Sequence, residues 1–336
     1  MPIILSEEST LEIEKESFLQ LKNCESISLN GGIVDNKGGK VIIEDWDSIS
    51  SPVSLNFTHI AYGNGVWIAI ITEFQTTFIK SEDNGNTWNT INDLNGIKLV
   101  NSIAYGDNVW VIVASDGTIM RSEDNGNTWV APEVSPAAKF FWAVAYGNNV
   151  WISVPFGLSK IARSEDNGKN WQIVEQEPTN LTSVAYGNGV WISVFPLPGN
   201  GRILRSSDNG ISWNSLDVPL GSNSSKIAYG NGVWIGISYT SITRSIDDGE
   251  TWNVIPLEDG NNWVSIAYGN GIWTACSFGK NLILRSLDDG ETWNIHEVTH
   301  AQKWSSIAYG DGYWMVVSKE SQENHIMRNG CQTLGT

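Results

Sequence analysis

The hydrophobic pattern of this chain is one of short alternating runs broken by glycine and asparagine. Thr182–Tyr186 is a half-apolar run, Gly187–Gly189 is its punctuation, and Val190–Val194 is an apolar return. Alternation on this scale around an Asn-Gly pair predicts a β-hairpin, whose strands are called A and B below. Arg202–Arg205 supplies a third run, strand C, and the segment Ser206–Trp213 turns it into a fourth, strand D. No stretch carries the 3.6-residue period of an amphipathic helix, and the turn residues recur too often for one of useful length. The expected class is all-β.

The same text repeats along the chain. Ala-Tyr-Gly occurs seven times, beginning at Ala61, Ala104, Ala145, Ala185, Ala228, Ala267 and Ala308. A tryptophan stands six residues after each alanine, from Trp67 in the first copy to Trp314 in the last. Six copies continue into a box, Ser-x-Asp-x-Gly-x-x-Trp, whose aspartates are Asp83, Asp124, Asp166, Asp208, Asp247 and Asp288. A period of about 40 residues with four strands per copy is that of a β-propeller blade. Seven copies predict seven blades.

The last copy supplies a strand C at His325–Arg328 and then ends without a box tryptophan. Near the other terminus, Glu44–Ile49, with Trp46, matches the strand-D text Asn86–Ile91 but has no A, B or C before it. The N-terminal strand is therefore expected to complete the seventh blade, removing the two sheet edges an open array would expose. On this reading residues 41–336 form the propeller, and residues 1–40, locally acidic and outside the repeat, are a tail or connector. The box explains itself mechanically: its carboxylate accepts N–H groups inside the turn, its glycine permits positive φ, and its tryptophan returns to the core.

Composition narrows the partners. A net charge of −17 opposes a general electrostatic grip on nucleic acid or anionic lipid. No segment reaches transmembrane length, and the N-terminus lacks the basic start and apolar run of a secretory signal, which implies cytoplasmic placement or export by a signal-independent route. Cys24, Cys276 and Cys331 form no metal or disulfide framework, although ring closure would bring Cys24 and Cys331 together. Nor do His59, His296, His300 and His325 show ligand spacing, so neither a metal nor a cofactor is implied. The sequence leaves the oligomeric state open.

The boxes and the strand-B tryptophans resemble the Asp-box, or bacterial neuraminidase repeat, superfamily of propellers, from about Val41 to the end. For a sialidase that resemblance would imply an arginine triad, a Tyr/Glu nucleophile pair, an aspartic acid/base and an Arg-Ile-Pro motif. None of these can be placed here, so no catalytic residue is assigned. Six of the seven arginines (Arg121, Arg163, Arg205, Arg244, Arg285 and Arg328) occupy one repeat position before the box or its remnant, as Lys80 does in blade 1. A ring of equivalent cations reads as a structural contact to nearby box carboxylates. Glycoside hydrolysis by another route needs a carboxylate pair, which no spacing singles out.

Three tryptophans lie outside the repeat: Trp142, Trp263 and Trp304, all at the start of a strand A. Alternation of strand direction puts the A–B turns and boxes on one side of the ring and the B–C and D–A connections on the other. The second side varies from blade to blade, as in Phe195–Gly201, Ala131–Ala138 and Asp217–Asn223, and specific function belongs with variation. Trp142, Trp263 and Trp304, with His59 and Lys226, are the expected ligand-binding residues on that face. Exposed aromatics there suit a glycan or a protein surface; the competing expectation is that the three tryptophans plug the inter-blade core. The functional expectation is a non-enzymatic recognition propeller, against a glycoside hydrolase or an assembly factor binding a protein.

Overall fold

The structure, a computed structural model, describes residues 46–330 except for 54–55, 73–75, 92–96, 98, 137, 196–200, 220–225, 258–260, 299–302 and 320–325, together with the backbone of six strands within residues 4–43. Cys24, Cys331, His300 and His325 lie outside the described residues, as do the tips of the 195–201 and 217–223 connections.

The described chain is all β, seven blades of antiparallel strands arranged in a ring. Blade 1 runs Phe57–Gly63, Val66–Thr72, Thr76–Ser81 and Asn89–Ile91, paired in sequence order from the innermost strand A to the outermost strand D. Two blades depart in detail. In blade 2 the fourth strand is a single bridge between Arg121 and Val130, and in blade 3 strands B and C run on as one strand, Val150–Ser164. Blade 7 is completed from the other terminus: Asp47–Ile49 pairs antiparallel with Ile326–Gly330, Ile49 opposite Ile326. The ring closes as the repeat text demands.

Upstream, three short strands pair in parallel with three later ones: Ile4–Leu5 with Ser28–Leu29, Thr10–Glu14 with Ile33–Lys37, and Phe18–Leu21 with Lys40–Ile43. Parallel pairing between successive passes of the chain is the backbone pattern of two turns of a coil. Lys40–Ile43 thus pairs with this coil, and Asp47 begins the pairing with the propeller.

The blades pack through repeated contacts. The glycine of each Ala-Tyr-Gly lies against the tyrosine of the next blade. A Cβ on Gly63 would sit 2.1 Å from the Tyr105 ring, on Gly147 2.2 Å from Tyr186, and on Gly310 2.0 Å from Tyr62. The last of these joins blade 7 to blade 1, so the series is a closed ring of seven. Each tyrosine is in turn tilted on its own strand-B tryptophan, as for Tyr146 and Trp151 at 5.0 Å. Those tryptophans are buried, as are the small residues two places on, such as Ala69, Ser153 and Ser193, that accommodate the neighbouring blade.

Candidate functional site

The two sides of the ring differ in kind, and the boxed side is the structural one. In blade 2 the Ser122 hydroxyl donates to Asp124 Oδ1 at 2.8 Å and accepts from the Gly126 N–H at 2.9 Å. Thr128 donates to the same carboxylate through both its N–H and its hydroxyl. Asn125 and Gly126 have φ of 55° and 79°, the left-handed conformation in which asparagine and glycine are the cheapest residues. The Trp129 indole closes the turn on the Gly126 carbonyl at 3.1 Å. Partial burial alone would raise the Asp124 pKa, but the hydrogen bonds from Thr128 and Ser122 outweigh it and hold the carboxyl below its ordinary value. Asp83, Asp166, Asp208, Asp247 and Asp288 sit in equivalent turns with the same outcome.

The boxes also clamp blade to blade. Asn64 in the first A–B turn donates to Asn125 in the second box, Asn188 in the fourth turn to Asp248 in the fifth box, and Asn231 to Asp289. The repeated cations join in. Arg121, Arg163, Arg205 and Arg244 each place Nε on a backbone carbonyl of the following box, at 2.8–2.9 Å. Their carboxylate partners are glutamates, Glu123 and Glu165 in their own boxes and Glu250 and Glu291 in the next. The expected pairing partner is thereby refined: the box aspartates spend their oxygens inside the turn.

On the opposite side the expected tryptophan trio does not form. Trp263 and Trp304 are 0% exposed, at the strand position held by Phe57, Val100 and Phe141 in other blades. They plug the inter-blade core, and the expectation of three exposed aromatics is corrected to one. Trp142 is 40% exposed because it lies one residue further on, at a β-bulge between Phe141 and Ala143. A one-residue step reverses the direction of a strand side chain, and sequence distance alone does not reveal a bulge.

The equivalent bulge positions of blades 1, 2 and 7 are polar, Thr58, Asn101 and Ser305, whereas blade 6 carries Val264. Asn101 donates to the Phe141 carbonyl of the next blade at 2.7 Å, and Ser305 to that of Phe57 at 2.7 Å. Blade 3 replaces this bridge with Trp142, whose ring lies 5.3 Å from that of Phe156. Beside them stand Leu99 and Phe140, both 52% exposed, and Phe156 at 42%. Leu99 and Phe140 have φ of 55° and 59°. The same position in blade 6 is Asn262, with φ of 50°, the residue type that tolerates this backbone. Each of the three carbonyls accepts an N–H from the end of its blade's strand B, Ser115, Phe156 or Phe278. Leucine and phenylalanine in that conformation cost about 1–2 kcal/mol each, and bulky apolar groups here are turned to solvent rather than to the core.

The ring's centre carries a second departure from the repeat. Two residues before each Ala-Tyr-Gly alanine, four blades have serine, and Ser102, Ser183, Ser265 and Ser306 each accept a backbone N–H from the neighbouring strand A, at 3.2–3.3 Å. Side chains at this position therefore lie along the innermost strands, facing the next blade. Blade 1 has His59 there and blade 5 has Lys226, both partly accessible but closely surrounded by protein, as on the wall of a narrow channel. Burial, then the charges of Lys226 and Lys319, lowers His59 to about 3; burial, then Lys319, lowers Lys226 to about 8. Lys319, just past the end of strand B in blade 7, is exposed, and desolvation by its surroundings still lowers its pKa. The sequence reading names His59 and Lys226 but misses Lys319, whose signal is its position five residues after the strand-B tryptophan, where other blades carry Thr72, Ser115, Phe156 or Tyr239.

Among the described residues no group of histidine, cysteine or acidic side chains could hold a metal ion. A shallow cleft of about 470 Å³ beside strand C of blade 2 is lined by Ile97, Asp116, Thr118, Met120, Trp129, Val130 and Ala131, with one carboxylate where glycoside hydrolysis uses two.

No family model matches the chain, and no curated protein matches it. Solved structures do. YCF48 bound to D1 peptide superposes with a TM-score of 0.67 at 16% identity, covering 86% of this chain and 95% of that one. YCF48 from Cyanidioschyzon merolae gives 0.66 at 16% identity, over 85% and 98%. A catalytically inactive virginiamycin B lyase from Staphylococcus aureus with quinupristin gives 0.71 at 12% identity, over 85% and 99%. At these identities the likeness is one of fold, and it agrees with the seven-bladed propeller.

Proposed function

We propose that this chain is a non-enzymatic recognition propeller of the Asp-box kind, and that the face opposite the boxes binds an extended segment of a protein partner. One observation carries the reading: on adjoining blades Leu99, Phe140, Trp142 and Phe156 are exposed, and two of them hold a backbone conformation that their residue type disfavours. Strain without a packing return is the mark of a functional position. Leucine and phenylalanine beside the Trp142–Phe156 pair give an apolar patch rather than the flat aromatic and polar platform a sugar ring uses, which favours a partner's apolar side chains. The peptide held by the similarly folded YCF48 supports the class of ligand.

A glycan remains the second reading, favoured by the exposed Trp142 ring. The experiment is a parallel screen of the purified protein against a random-peptide library and a glycan array, repeated with Trp142→Ala. Saturable binding of apolar-rich peptides, weakened at least tenfold by the substitution at unchanged melting temperature, is expected. Glycan hits with the same dependence would replace the peptide reading, and hits indifferent to Trp142 would remove the site.

A further inference from the structure

We propose that the cleft on the rim of blade 2 is a second subsite for the partner segment, taking one of its apolar side chains while a neighbouring lysine or arginine meets Asp116. The inference rests on the peptide reading above and deepens it, by giving the partner a residue pattern. It starts from strand D, which blade 2 reduces to the single bridge between Arg121 and Val130. In five other blades the residue three places after the box tryptophan pairs with strand C: Ile91 with Phe78, Val174 with Ile161, Leu216 with Ile203, Ile255 with Ile242 and His296 with Ile283. In blade 2 that residue is Pro132. Arg121 and Val130 exchange both of their backbone bonds, at 2.9 Å, and in an antiparallel ladder the next exchanging position lies two residues on. It falls to a proline, which has no N–H to donate, and the ladder stops.

The chain then turns away to blade 3. Glu133 and Val134 donate to the Lys169 carbonyl at 2.7 and 3.3 Å, and the Val134 carbonyl accepts the Trp171 N–H at 3.0 Å. Between strand C and this departure a cleft of about 470 Å³ is left. Met120 and Trp129, both buried, and Ile97 give it apolar walls, and the exposed Ala131 stands at its opening. That is room for one large apolar side chain. Asp116, exposed at the cleft's edge, accepts the Thr118 N–H at 2.9 Å, which holds its carboxylate in place. In a chain with a net charge of −17, a carboxylate so placed favours a basic neighbour to the apolar anchor.

The cleft and the apolar patch are two sides of one turn. Asp116 lies in the B–C turn of blade 2, and the Ser115 N–H in that turn donates to the Leu99 carbonyl at 3.1 Å, while the Ser115 carbonyl accepts the Phe140 N–H at 2.9 Å. Gly117 lies so close to the connection into blade 3 that a Cβ on it would sit 2.5 Å from the Ala138 carbonyl oxygen. An extended segment resting on Leu99 and Phe140 therefore reaches the cleft by crossing Ser115–Gly117, with Asp116 on its way.

The test is selection of random peptides displayed on phage against the full chain, followed by titration of the selected peptides against wild type, Trp142→Ala, Ala131→Arg and Asp116→Lys. Ala131 and Asp116 are exposed, so both substitutions spare the core, and an arginine at 131 fills the cleft. Selected peptides should pair an apolar residue with a lysine or arginine. Their affinity should fall at least tenfold in Ala131→Arg and severalfold in Asp116→Lys at unchanged melting temperature, besides the loss in Trp142→Ala. Peptides that need Trp142 but bind the other two variants as tightly as wild type overturn the cleft and leave the patch standing. Peptides that need the cleft and are indifferent to Trp142 remove the patch and, with it, the shared segment.

Discussion

The two faces of the ring are built from the same repeats and obey different rules. On the boxed face a tyrosine packs against the neighbouring glycine in all seven blades, and most blades also join a turn asparagine or aspartate to a box side chain and a cation to a box carbonyl. On the opposite face equivalent positions disagree. The strand-A bulge is Asn101 in blade 2, Trp142 in blade 3 and Ser305 in blade 7, and the residue before strand A is Leu99, Phe140 or Asn262. A repeat protein is its own control. Where seven copies agree, assembly is the economical explanation; where one copy gives up a bond its siblings keep, stability has been exchanged for something else.

The largest effect that could break this comparison is at ring closure. A chain beginning at Lys40 retains Asp47–Ile49, and one beginning at Ser51 lacks it, leaving Ile326–Gly330 without its outer partner. The second should lose several kcal/mol, combining a lost strand with an opened edge, and should melt earlier and less cooperatively in calorimetry. Equal melting of the two would refute closure as the source of the ring's stability.

A smaller effect tests whether the boxed-face contacts are as tight as their uniformity implies. Gly147→Ala places a methyl group 2.2 Å from the Tyr186 ring of the next blade, where a side chain stacked on Trp191 cannot easily yield. Overpacking of this kind costs about 1–3 kcal/mol. Gly189→Ala is the comparison, since no atom lies within 4 Å of its added Cβ; there the loss comes from the left-handed backbone alone, at φ of 82°. The expected readout is a lower denaturant midpoint for both, with disturbance of Tyr186 fluorescence or NMR signals only for Gly147→Ala. Unperturbed signals from Tyr186 in that variant would show the contact to be slack.

What the sequence made legible follows the same division. The blade count, the four-stranded plan, the closing strand and the mechanics of the box are all written in residues that recur, so period and turn chemistry suffice to read them. The candidate site lies in departures from the repeat, and these are legible only against correct registration. Trp142, Trp263 and Trp304 look alike in sequence because each stands just before Ala-Tyr-Gly, but Trp142 occupies the bulge position that Asn101 and Ser305 hold in other blades, while Trp263 and Trp304 stand one residue earlier and fill the slot of Phe57. Leu99 and Phe140 are ordinary apolar residues in a one-dimensional reading; their left-handed backbone, visible only in three dimensions, is what singles them out. Lys319 is separated by 93 residues from Lys226 and belongs to another blade, so its electrostatic effect on Lys226 is not legible from the sequence.

The smallest effect is also the most discriminating, because fold and function should move in opposite directions. Leu99→Asn and Phe140→Asn each install the residue that blade 6 carries at Asn262 in the same conformation. Relief of left-handed strain should raise stability by about 1 kcal/mol per substitution, read as a higher denaturant midpoint at unchanged slope. The same substitutions remove exposed apolar surface, so affinity for a selected apolar peptide should fall severalfold. A structural role for these side chains predicts the reverse, lower stability with peptide binding unaffected. If both quantities stayed where they are, the patch would be incidental.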